Sequence, residues 1–164
     1  MTSYLRLCGA VAVLVAVFFI AREYSVFARR RLDELRGFHS LLEYIEGEIS
    51  KYLSFGSGLW NGFSCEKLEP CGFLQMLRDG EHPGKAFLRC KSRLALSTEQ
   101  KDVLEKFFLD FGRGYKDSEM KRVSEYRVRL GETLEKEVLE LEKNVKVVRA
   151  LLLGGGLSVV ILVI

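Results

Sequence analysis

Four side chains in the middle of this sequence, Cys65, Cys71, His82 and Cys90, invite a soft-metal hypothesis. A structural zinc site usually draws its ligands in pairs two to four residues apart, so that one tight turn serves two corners of a tetrahedron. Here neighbouring candidates are six, eleven and eight residues apart, which favours reduced, partly buried thiols in a cytoplasmic domain. The stretch "GEHPGKA", Gly80 to Ala86, has the look of a phosphate-binding loop. That motif needs four residues between its glycines and Ser or Thr after the lysine, whereas three residues and Ala86 stand here. No apolar strand precedes it, so it reads as a turn and a helix start. With two histidines and no Ser/His/Asp or Cys/His constellation, the chain carries no argument for an enzyme or a cofactor.

Charge is the remaining chemistry. Between residues 78 and 93 stand Arg78, Lys85, Arg89, Lys91 and Arg93 against Asp79 and Glu81. Such a face is usually only solvated. Its alternative use is a docking patch for an acidic partner, and Lys85, Arg89, Lys91 and Arg93 are the candidates. A net charge of +3, without a basic stripe interleaved with aromatics, does not argue for nucleic acid.

The elements that must carry this patch begin with two apolar runs. Leu7 to Ala21 is fifteen apolar or small residues, short of the roughly twenty that span a bilayer but workable with Arg6 snorkelling. A secretory signal peptide would fit the run's length, but no convincing cleavage site follows. The second run, Leu151 to Ile164, has Ser158 as its one polar side chain. Extended back through Val147 it covers eighteen residues, about 27 Å of helix. Arg22, Arg29, Arg30, Arg31 and Arg36 follow the first run, and Lys143, Lys146 and Arg149 precede the second. The expectation is a transmembrane helix at 4–21, a cytoplasmic helical domain at 22–149 and a second span at 147–164, with membrane lipid around both spans and both termini outside.

In the middle segment, Leu35, Phe38, Leu42, Ile45, Ile49 and Tyr52 form a heptad stripe. Leu130, Leu134, Val138, Leu141, Val145 and Val148 form a second apolar stripe, whose extra four-residue step from Leu134 to Val138 makes its register helical rather than strictly coiled-coil. The segments that hold them, 22–54 and 116–149, are each about 50 Å long as helices. That match predicts an antiparallel hairpin in which Leu42, Ile45 and Ile49 face Leu130, Leu134 and Val138. Between them, short helices are expected near 71–80 and 82–93, the second with Pro83 in its first turn. A third opens on the capping box Ser97 and Gln100 and buries Val103, Leu104, Phe107, Phe108 and Phe111. Gly112 and Gly114 should end it. The expected fold is all-α: a membrane-anchored helical hairpin, a small distal bundle and a transmembrane helix at each end.

The stretches "LRGFHSLLEYIEGEI" (35–49) and "FGRGYKDSEMKRV" (111–123), set between the two apolar runs, resemble the stage III sporulation protein AB family of endospore-forming bacteria. Ile45, Glu46, Glu48 and Ile49 match the first family pattern. Phe111, Gly112 and Asp117 match the second, with Phe in place of Leu and Glu119 where Gln is expected. The resemblance implies a non-enzymatic membrane subunit of the channel or secretion-like complex joining mother cell and forespore, held in the mother-cell membrane around the forespore. The family is also similar to the inner-membrane platform proteins of type II secretion and type IV pilus systems. That likeness implies other membrane subunits of the complex and a cytoplasmic hexameric ATPase as partners. The alternative is a membrane-anchored regulatory adaptor that sequesters a cytoplasmic factor.

Overall fold

The computed structural model describes residues 2–51 and 57–163. Two long helices, α1 (Thr2–Lys51) and α5 (Lys116–Val163), bracket three short ones: α2 (Phe73–Arg78), α3 (Pro83–Cys90) and α4 (Thr98–Asp110). Single 3-10 turns lie at Ser57–Trp60, Glu69–Cys71 and Lys91–Arg93. No strand occurs among the described residues, so the all-α fold forms. The chain divides into two compact units, Met1–Arg29 with Glu137–Ile164 and Arg30–Lys136, and α1 and α5 contribute to both.

Within Arg30–Lys136 the core is aromatic. The α1 stripe is buried as expected over Leu35, Phe38, Leu42, Ile45 and Ile49, and Leu41 joins it on the same helix. The stripe widens because α1 is covered from several directions. Phe38 meets Phe73 of α2 at 5.6 Å between ring centroids, Phe87 of α3 at 5.9 Å and Phe108 of α4 at 6.1 Å. Phe73 and Phe108 also contact each other at 4.8 Å. Aromatic pairs at such spacing add about 0.5–1.5 kcal/mol beyond their burial. The short helices therefore pack onto α1 rather than forming a separate bundle beyond a two-helix stalk.

Local signals place the short helices. His82 caps α3 by accepting from the Gly84 amide at 3.2 Å, with Pro83 in the first turn. Ser97 and Gln100 form the capping box of α4 in both directions. Gly84 sits at the α3–α4 crossing, where an added Cβ would lie 2.9 Å from the Leu109 Cα.

Helix α5 departs from expectation. Its buried face in this unit is Glu119, Val123 and Leu130, with Met120, Tyr126 and Leu134 partly covered. The antiparallel pairing of α1 with α5 is present, but in a different register. Glu46 Oε2 meets Arg127 Nε at 2.6 Å, and a Cβ on Gly131 would lie 3.3 Å from His39 Nε2. Ile45 is thus level with the region of Arg127, about two turns from Leu134. A heptad stripe repeats every two turns, so such a slip leaves the sequence pattern unchanged.

In the other unit, Asn144 Nδ2 donates to the Tyr24 hydroxyl at 3.3 Å. Among the described residues no helix is long and apolar enough to cross a membrane. Most side chains of 4–21, and all from Arg149 onward, lie outside the described residues, as do Tyr52 and the Val145 side chain of the two stripes.

Candidate functional site

Of the four candidate cations, Lys85 and Arg89 lie one turn apart on exposed positions of α3. Leu88, 47% exposed, lies between them. Arg89 reaches Glu81 Oε2 at 3.1 Å, yet its side chain stays 70% exposed. Lys91 is committed elsewhere. Its Nζ lies 2.8 Å from Asp102 Oδ1 and 2.6 Å from Glu105 Oε2, and these partners raise its pKa. Arg93 donates to the Cys71 carbonyl at 3.5 Å. The structure therefore leaves Lys85, Leu88 and Arg89 as one outward edge, commits Lys91 to α4 and ties exposed Arg93 to the Cys71 carbonyl.

Cys71 and Cys90 are buried in the core and donate to the Leu68 and Phe87 carbonyls. The neighbouring Cys90 thiol draws the Cys71 pKa down against the opposing effect of burial. The same contact, together with burial, pushes Cys90 up. Among the described residues no three His, Cys, Asp or Glu side chains are grouped to hold a metal ion.

The family-motif residues turn out to be joints. Ile45 and Ile49 are core residues. Glu46 pairs with Arg127, and Glu48 with Lys51 at 3.3 Å. Phe111 packs on Trp60 at 5.8 Å and on Phe107 at 5.4 Å. Gly112 has φ +83°, a conformation open to glycine at little cost. Asp117 is exposed in the first turn of α5, where a carboxylate favours the helix dipole.

The residue that closes this turn is Glu119, fully buried. One oxygen accepts from the Gly112 amide at 3.3 Å, and the other from the Gly114 amide at 2.9 Å and from Arg122 at 2.9 Å. Arg122 also donates to the Asp110 carbonyl at 2.7 Å, tying α4 to α5. At Gly114 a Cβ would come within 2.8 Å of the Glu119 carboxylate and 2.7 Å of the Ser118 hydroxyl, so a side chain there would have to displace one of these groups. An acid in the first turn after two closely spaced glycines was the available signal for this role.

A second joint left no such trace. Glu34 of α1, 4% exposed, accepts from the Ala95 amide at 2.6 Å and pairs with Arg30 at 3.0 Å. Arg30 donates to the Arg93 carbonyl, and Arg31 to Gln100 Oε1. Two of the arginines that read as a membrane flank thus hold the 93–100 segment against α1.

Fold and joints together define an all-helical protein whose buried polar groups serve architecture. The model of the stage III sporulation protein AB family matches residues 78–164, and the chain belongs to that family. The family is one of structural and assembly proteins of sporulation, which gives this chain a role in stage III. The match takes in Phe111, Gly112 and Asp117 and begins after the 45–49 stretch. No curated protein and no solved structure matches the chain.

Proposed function

We propose that this protein is a membrane-anchored assembly platform of the sporulation complex between mother cell and forespore, and that it recruits the complex's cytoplasmic ATPase. Family membership is the observation that carries this reading. The two apolar runs with basic inner flanks support spans at 4–21 and 147–164, a cytoplasmic middle and outside termini in the mother-cell membrane. The exposed edge Lys85, Leu88 and Arg89 is the docking surface this reading favours. An apolar side chain flanked by two cations suits an acidic partner surface with a small hollow, since surface charge sets partner choice and association rate.

The test is recovery of the detergent-solubilised chain from sporulating cells, with identification of what accompanies it. Membrane subunits and an ATPase should co-purify. Charge reversal by Lys85→Glu with Arg89→Glu should weaken ATPase recovery and sporulation while leaving helicity and membrane subunits unchanged. Undiminished ATPase recovery would remove this edge as the interface. A soluble regulator as the main companion would favour the adaptor.

A further inference from the structure

In the unit Met1–Arg29 with Glu137–Ile164, apolar exposure does not stop where the first apolar run ends. Val15, Phe18 and Phe19 are about half exposed, and beyond Ala21 so are Tyr24, Val26 and Phe27, at 53–56%. Leu139 and Val147 of α5 are similarly open at 57% and 55%. Val15, Phe18, Phe19, Arg22, Val26 and Arg29 follow helical spacing on one face of α1. Arg22 and Arg29 are exposed and make no ion pair among the described residues. This distinguishes them from Arg30 and Arg31, which are engaged in the other unit.

An exposed band that mixes aromatics with unpaired arginines suits neither bulk water nor hydrocarbon. It suits the layer between them, where amphipathic rings and snorkelling cations collect. Arg22 to Arg29 rises about 10 Å along the helix. One interfacial layer is about 5–8 Å deep, and arginine side chains cover the difference. The Asn144–Tyr24 hydrogen bond brings α5 to the same level. Across 22–29 and 139–147, the bases Arg22, Arg29, Lys143 and Lys146 outnumber the acids Glu23, Glu140 and Glu142 by one.

We propose that residues 22–29, with 139–147 of α5, form a collar at headgroup depth that engages anionic phospholipid. Tyr24, Val26 and Phe27 lie at the hydrocarbon boundary, and Arg22, Arg29 and Lys143 meet the headgroup phosphates. The inference rests on the membrane reading above.

Trp fluorescence of the full-length chain in vesicles separates the two ideas. Phe27→Trp and Val15→Trp are each placed in a Trp60→Phe background, with nitroxide lipids labelled at the headgroup or at mid-chain. If Trp60→Phe fails to fold, each is read against the parent chain, whose own tryptophan is a constant background. The position 27 probe should be quenched most by the headgroup label, and the position 15 probe by the mid-chain label. Labelled phosphatidylglycerol should quench the position 27 probe several-fold more than labelled phosphatidylcholine, since each basic residue favours anionic lipid about fivefold. Arg22→Glu with Arg29→Glu should bring that ratio to one. A position 27 probe that is unquenched, quenched at mid-chain depth or indifferent to lipid charge overturns the collar, while deep quenching at position 15 preserves the span. Loss of quenching at both positions overturns the span and the collar together.

Discussion

Two carboxylates are buried among the described residues, Glu34 and Glu119, and they fasten different kinds of connection. Glu119 closes a loop on itself, reaching amides five and seven residues back in the chain. Glu34 reaches an amide 61 residues away and anchors the segment before α4 to α1. The first bond forms with little loss of chain entropy, whereas the second closes a long loop, whose entropic cost rises with length. Glu119 therefore sets a local turn, and Glu34 helps determine which helices meet.

The contrast can be tested from the largest effect downward, on the full chain in micelles with urea unfolding followed by circular dichroism. Phe38, one turn beyond Glu34, is the apolar half of the long-range closure, and Phe38→Ala should cost about 3–5 kcal/mol. Glu34→Ala removes a charged acceptor from the buried Ala95 amide and should cost about 1.5–3 kcal/mol. Hydrogen exchange at Ala95 should rise in that variant while exchange at Gly112 and Gly114 stays unchanged. Glu119→Ala should cost less, about 1–2 kcal/mol, because water can reach the amide of exposed Gly112. Its exchange signature should be the reverse. Glu119→Gln keeps an acceptor and the side-chain shape, so its cost should fall below about 1 kcal/mol. The smallest effect is expected at Glu46 and Arg127, both about 30% exposed, where a double-mutant cycle should return about 0.2–1 kcal/mol. Equal, chain-wide exchange changes from Glu34→Ala and Glu119→Ala would erase the distinction between local and long-range closure.

The same contrast explains what could be read in advance. Pro83, Ser97 with Gln100, and Gly112 before α5 act within a few residues, and each appeared as a local signal in the sequence, whereas the His82 cap beside Pro83 did not. The stripe from Leu35 to Ile49 was legible because burial on one face must repeat with the helix period. On α5 the period misled. Glu119, Met120 and Tyr126 face the core but do not read as an apolar stripe, while the clean repeat from Leu130 to Val148 is buried only at its start among the described residues. The candidate docking patch divided for a related reason. Lys91 was captured by Asp102 and Glu105 of α4, 11 and 14 residues away, and nothing in the run from Lys85 to Arg93 announces that capture.

By itself the sequence determined that the chain is helical, where the short helices start, which face of α1 is buried and which family it joins. These follow from propensities, caps and periodicity, whose interactions span a turn or two of backbone. Only the tertiary structure decided that α2, α3 and α4 cover α1, that α1 and α5 pair about two turns from the expected register, and that Glu34 binds Ala95. It likewise left Lys85 and Arg89 facing outward while Lys91 was neutralised. Helical surfaces repeat, so several registers and partners satisfy the same pattern. Phe73, Phe87 and Phe108 closing around Phe38 select among them, because interiors packed at crystal density tolerate few voids.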